Sequence, residues 1–162
     1  MADAAELIKM FMRSVAQPVF VVTARSDKGY AAFTASSVTS ISLNPPLMMV
    51  SVAKASRNHD PLVSSQRFII TLLSCEHRSI AEIMAQRMDP LAKLKMVGYR
   101  ESDYGPVIPG AARLYLKNYK AYDGGDHTIV LGLVEGGEAP GEPLGKPLVY
   151  HARSYKTVGP GC

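Results

Sequence analysis

The sequence predicts a mainly β fold, an antiparallel barrel or sandwich with two or three helices packed outside. Six or seven short runs are rich in β-branched and aromatic residues and are bounded by Gly, Pro, Asn and Asp. Only two or three segments carry helical periodicity, too few for repeated βαβ crossovers. At 162 residues and 17.5 kDa, with no internal repeat and no low-complexity stretch, the chain reads as one domain, 1–162. A domain of that size buries about two-thirds of its unfolded surface.

Taken in order, residues 3–16 read as an amphipathic helix: Asp3 and Glu6 have capping-box spacing, and Leu7, Ile8, Phe11 and Val15 share a face. Gln17-Pro18 ends it. "PVFVVTA" (18–24) is a short β-branched run and therefore a strand, "SDKG" (26–29) a turn, and "YAAFTASS" the start of a second strand. "PLMMVSVA" (46–53) has few polar positions and reads as a strand covered on both faces, followed by "RFIITLLS" (67–74). "SIAEIMAQRM" (79–88), with Ser79 and Glu82 as a capping-box pair, predicts a helix. "DPLAKLKMVG" (89–98) predicts a second, with Asp at the N-cap, Pro at the first position and Gly beyond the end. "AARLYLKNYKAY" and "HTIVLGLVEGG" read as strands on either side of the turn "DGGD". "GEAPGEPLGKP" is a loop and "PLVYHA" a final strand.

Composition excludes several classes. No apolar run approaches a membrane span, and the N-terminal stretch has early acids and no cleavage signature, so neither membrane insertion nor export is expected. Two cysteines without CxxC spacing are too few for a disulfide framework. Cys75 is expected to be a small buried residue and Cys162 a free tail thiol, and the location cytoplasmic. The formal charge of +4 suits anionic small molecules more than nucleic acid, since Lys and Arg are scattered and do not alternate with aromatics. There is no GxGxxG, no Walker loop and no Ser/His/Asp arrangement. His59, His77 and His151 show no HxH or HxxxH pairing and no metal is expected.

"TASSVTSISLNPPLMMVSVAKASRN" (34–58) is the unusual stretch. Thr34, Ser36, Ser37, Thr39, Ser40 and Ser42 place six hydroxyls in nine positions, just before Pro45-Pro46 and an apolar strand. Such a cluster commonly forms only a polar strand face or local turns. Here the next strand runs into "VAKASRN", which offers Lys54, Ser56, Arg57 and backbone amides in one loop. Hydroxyls and amides beside Lys and Arg suit a ligand with a polar ring edge and a terminal phosphate. Alternation along a strand sends Ser37, Thr39 and Ile41 to one side and Val38, Ser40 and Ser42 to the other.

"GYAAFTASSVTSISLNPPLMMVSV" resembles the signature of the short-chain flavin reductases, FMN-binding split-barrel proteins that serve as reductase components of two-component flavin monooxygenases. The resemblance continues through "FIITLLS", "GPVIPGAARLYL", "GDHTIVLGLV" and "PLVYHARSY", in the same order, over nearly the whole chain. Ala32, where many relatives have Gly, and Asn44, where Asp commonly precedes the proline pair, depart from the pattern; Ala32 is a position where a side chain could crowd a close backbone approach.

The resemblance implies a Greek-key split β-barrel, a homodimer, and hydride transfer from NADH or NADPH to FMN, FAD or riboflavin, with reduced flavin supplied to a partner oxygenase. It points to Thr34, Ser36, Ser37, Val38, Thr39 and Ser40 for the flavin ring and ribityl chain, and to Ser51, Ala53, Lys54, Ser56 and Arg57 for the phosphate end. Asp123-Gly124 alone would be an ordinary hairpin turn, but "GGDHT" (124–128) is similar to the family's Gly-Asp-His motif. That implies His127 at the nicotinamide site, with Asp126 orienting the turn or the imidazole. Tyr150 and Tyr155 are expected either over the dinucleotide or in barrel packing. A flavoredoxin-like electron carrier, holding FMN permanently, is the alternative on the same barrel.

Overall fold

The computed structural model describes residues 3–142 and 145–161. Its main sheet has seven strands: β2 (Phe20–Ser26), β3 (Gly29–Ala35), β4 (Val38–Leu43), β5 (Pro46–Ala53), β6 (Arg67–Leu72), β7 (Ala112–Gly124) and β8 (His127–Glu138), in the order β3-β2-β6-β7-β8-β5-β4. Every neighbouring pair is antiparallel. All seven strands contribute to one core, among them Val22, Ala31, Val38, Val50, Phe68, Leu116 and Val130, so the sheet curls round on itself. The ladder does not close: β3 and β4 are its two edges, consecutive in the chain and joined by Ser36 and Ser37. The expected barrel is thus open along this seam.

Why "VFVVTA" reads as a nearly continuous apolar run follows from the layers. Val22 and Ala24 point into the inner core, whereas Val21 joins an outer cluster with Ala32, Leu73 and Ile108. That outer cluster is covered by Ala81 and Met84 of α3 (Arg78–Met84) and Leu94 of α4 (Pro90–Val97). A strand with both faces covered has no solvent side on which to place polar residues. Ala32 is fully buried there, and its methyl group packs toward the helices, away from the seam.

The signals read for α4 are all in place. The Asp89 carboxylate accepts from the Ala92 amide at 3.0 Å, Pro90 begins the helix, and Gly98 follows it with φ +80°. Removing the cap by Asp89→Ala is expected to cost about 1 kcal/mol. It should appear as a lower urea midpoint with an unchanged m-value.

Elsewhere the structure corrects the sequence reading. The helix expected over 79–88 is displaced toward the N-terminus. A 3-10 turn (Cys75–His77) opens it, and the reciprocal cap is Ser74 with His77, not Ser79 with Glu82. α3 stops at Met84. The Lys93 ammonium donates to the carbonyls of Met84 and Gln86, at 2.9 and 3.2 Å, and so holds the chain out of the helix. The strict alternation expected along β4 is interrupted after Ser40. Its pairing with β5 shifts between Ser40 and Ser42, and Thr39, Ser40 and Ile41 are all exposed on this edge strand. α1 (Ala4–Arg13) is capped by Asp3 as read, but it buries none of its residues; Phe11 is 71% exposed. Cys75 is half-buried, and the thiol expected at Cys162 lies outside the described residues, as does the middle of the loop read at 137–147.

The final strand read in "PLVYHA" is present as β9 (Val149–His151), whereas three short elements, β1 (Gln17–Pro18), β10 (Ser154–Lys156) and α2 (His59–Val63), went unread. β1, β9 and β10 form a small second sheet, with Gln17 opposite Tyr150 and Tyr155 opposite Tyr150. α2 is one helical turn after the loop that leaves β5. No helix among the described residues is long and apolar enough to cross a membrane.

Candidate functional site

The seam between β3 and β4 opens onto a cavity of about 610 Å³, within the range of small-ligand sites. Four segments form it: Thr34–Ser37 at the end of β3, Ser51–Ala53 at the end of β5, the Ala55–Asn58 loop, and the Ala85–Met88 loop between α3 and α4. His127 completes it. The hydroxyl stretch and the cationic loop therefore meet in one cavity.

Long-range pairing sets the positions. β8 runs against β5 with His127 opposite Ala53, and the Lys54 amide donates to the Asp126 carbonyl at 2.9 Å. This brings the "GGDHT" turn beside the loop that carries Arg57. Asn58 is buried; its side-chain oxygen accepts from the Ala32 amide at 2.8 Å, and its amide nitrogen reaches Ser56 Oγ at 3.1 Å. One side chain thus ties the loop to edge strand β3. His59 Nε2 lies 2.7 Å from Thr128 Oγ1, anchoring α2 to β8 behind His127.

The hydroxyls divide by task. Thr34 Oγ1 donates to the Ala81 carbonyl at 2.7 Å and holds β3 to α3. Ser51 Oγ donates to Ser37 Oγ at 2.8 Å across the mouth of the seam. Ser56 Oγ accepts from the Asn58 amide. Val38 lies in the core, and Thr39 and Ser40 sit on the exposed edge outside the cavity lining, so the site draws on Thr34, Ser36 and Ser37 but not on the next three residues.

At the loop end, the Arg57 side chain makes no hydrogen bond or ion pair among the described residues, and the amides of Ala55 and Arg57 find no acceptor there. Lys54 is outside the lining; its ammonium pairs with Asp123, whose carboxyl is held below the usual range by that contact. His127 Nδ1 lies 2.6 Å from Asp126 Oδ1, and the imidazole beside it holds the Asp126 carboxyl low. Asp126 therefore orients the imidazole through its carboxylate while its backbone secures the turn.

A second cavity of about 600 Å³ adjoins the first, sharing Thr34, Ser36 and Ala85. Tyr150 and Tyr155 line it with their rings 5.1 Å apart and tilted by 60°, together with Arg78 and Arg153. Burial, foremost, pushes the Tyr155 hydroxyl pKa up. The four residues expected at the nicotinamide are thus divided: His127 lines the first cavity, the two tyrosines line the second, and Asp126 lines neither.

Sequence reading missed Gln86, Arg87, Met88, Lys93 and Asn58, all in the first cavity wall. One signal was available. Lys93 follows Pro90 by three residues and adjoins Leu94, which puts it on the buried stripe of α4. The residues present fit a flavin mononucleotide. At one end stand amides and a guanidinium without partners among the described residues, hydroxyls lie along the seam, and Val52 and Met84 provide apolar wall. Among the described residues no cluster of three or more His, Cys, Asp or Glu is placed to hold a metal ion.

The fold is an antiparallel split barrel with one cavity at its seam and a second at its side. The flavin reductase like domain model matches residues 12–159, and the chain belongs to that family. It is 33% identical over 153 residues to the NADH:riboflavin 5'-phosphate oxidoreductase of Streptomyces pristinaespiralis, covering 92% of this chain and 85% of that protein. It is also 33% identical over 117 residues to the reductase component of the flavin-dependent trigonelline monooxygenase of Acinetobacter baylyi, covering 71% of this chain but only 37% of that longer protein. The fold superposes on the flavin reductase HpaC complexed with NADP+ with a TM-score of 0.85 and 29% identity, covering 95% and 97% of the two chains.

Proposed function

We propose that this protein is an NAD(P)H-dependent flavin reductase that takes FMN in the first cavity and the reduced nicotinamide nucleotide from the side of the second. The observation that carries this reading is the shared wall of Thr34, Ser36 and Ala85. Two planar ligands entering from the two cavities meet there, and hydride transfer needs the rings at near-contact distance. Bound flavin supplies the hydride-accepting chemistry, and the chain supplies binding, orientation and charge. Ser36 and Ser37 offer hydroxyls to the ring edge, Arg57 and the loop amides grip the phosphate, and His127, on the wall of the first cavity, meets the nicotinamide where it reaches in over the flavin. FAD and riboflavin are further acceptors, and an oxygenase that consumes the reduced flavin is the partner. A second copy of this chain would cover the exposed apolar face of α1. The reaction belongs in the cytoplasm, where its nucleotide is held.

The direct test mixes the purified protein with NADH or NADPH and each of the three flavins. Catalytic consumption of nucleotide in excess of protein is expected with added FMN. A protein that stays yellow and inert to both nucleotides supports the electron-carrier alternative. His127→Ala is expected to lower kcat/KM for the nucleotide by about tenfold, a loss of ~1.4 kcal/mol in transition-state stabilisation. The flavin dissociation constant should change by less than about threefold, which is ~0.6 kcal/mol. Parallel losses in both measurements would remove His127 from the nicotinamide site.

A further inference from the structure

Among the described residues Lys93 is the only charged residue in the core, 1% exposed, and it lines the first cavity. Its ammonium donates to two carbonyls, Met84 O and Gln86 O, and no acceptor among the described residues takes the third N–H. No carboxylate there lies within ion-pair distance of it. Burial accordingly lowers the Lys93 pKa from its ordinary value, offset in part by Asp89. A buried cation without a counter-charge is costly, and an anion in the adjoining cavity would offset that cost.

A flavin has two places for such an anion. The phosphate is provided for at the Ala55–Asn58 end by Arg57 and two free amides. Lys93 instead stands behind the Ala85–Met88 loop, whose Ala85 belongs to the junction of the two cavities with Thr34 and Ser36. The junction is the ring end.

We propose that Lys93 is the counter-charge for the reduced isoalloxazine ring and thereby raises the reduction potential of the bound flavin. This rests on the flavin reading of the cavity. In the transfer, the nicotinamide C–H bond breaks and its electron pair and hydrogen pass to the ring. The nicotinamide is left as its oxidised cation, and the ring carries one added negative charge. Lys93 acts on that charge, and its bonds to Met84 and Gln86 hold it at the wall.

The test compares the binding of oxidised FMN with that of dithionite-reduced FMN, the latter without oxygen, in wild type, Lys93→Met, Lys93→Gln and Lys93→Arg. Lys93→Met and Lys93→Gln should weaken reduced FMN about tenfold more than oxidised FMN, equivalent to a potential lower by ~30 mV for a two-electron couple. Lys93→Arg should keep most of the wild-type ratio. Equal weakening of both forms would reduce Lys93 to a structural tie between α4 and the loop and overturn the proposal. If neither neutral variant folds, wild type decides: its bound reduced FMN should keep the anionic absorbance spectrum to lower pH than free reduced FMN, and protonation at the same pH or higher overturns the proposal. Wild type that binds neither form of FMN overturns the flavin reading itself.

Discussion

Arg57→Ala is expected to weaken FMN binding roughly a hundredfold while changing riboflavin binding less than about twofold, since charge-assisted hydrogen bonds contribute ~1.5–3 kcal/mol. The contrast follows from position. Arg57 sits in the cavity wall, its guanidinium has no protein partner among the described residues, and the loop amides around it are free. Riboflavin lacks the phosphate that this arrangement suits. Arg57→Lys should recover only part of the affinity, because an ammonium cannot reproduce the bidentate fork of a guanidinium. Fluorescence titration with the two flavins measures both numbers. Equal weakening of riboflavin and FMN would move the phosphate away from this loop, and no change in either would move the flavin from the cavity.

Phe68→Ala is expected to cost about 3–5 kcal/mol, a large part of the ~5–15 kcal/mol that holds a domain folded. Phe68 is fully buried in the inner core, paired with Leu116 on β7. Its ring lies directly over Gly132 of β8: a Cβ built there would come within 2.5 Å of Phe68 Cζ and 2.8 Å of Leu116 Cδ2. Gly132 thus makes room for the ring where the sheet curls, and truncating the ring leaves a hole that backbone alone cannot fill. Thermal unfolding should shift down by roughly 10 °C. A loss under about 1 kcal/mol would mean that the inner core repacks more freely than its close contacts suggest.

Much of the fold was legible because the signals were local. The Asp89-Pro90 start and Gly98 stop of α4 act within a few residues of themselves, and so does the Asp3 cap of α1. The β5 strand could be read from its own apolar run, but it is not covered throughout as expected: Leu47, Val50 and Val52 are buried, whereas Met48, Met49 and Ser51 are half-buried. The helix at 79–88 was misplaced because its true cap, Ser74 with His77, follows directly on a strand. Its early end depends on Lys93, nine residues beyond Met84. The pairing of β9 with β1 was unreadable for a stronger reason: Gln17 gains strand geometry only from Tyr150, more than a hundred residues away.

The candidate site divides in the same way. Of the hydroxyls at 34–42 and the loop at 54–57 that the sequence singled out, Thr34, Ser36, Ser37, Ser56 and Arg57 line the first cavity, as does His127 of "GDHT". The sequence could not tell that Thr39 and Ser40 lie exposed on the edge strand outside the cavity, nor that the Gln86–Met88 loop forms part of its wall.

From residue order alone came the class of fold, the element boundaries with their own caps and turns, and the chemistry of the segments around the seam. Side-chain type and spacing act over one or two turns of chain, and that range suffices for those features. Tertiary structure alone decided that the barrel stays open between β3 and β4, that Ser37 and Arg57 share a cavity, and that the only buried charge among the described residues stands at its wall. Those features come from pairings between distant strands and from which side chains the closing core leaves without water, and neither is encoded in any single stretch of the chain.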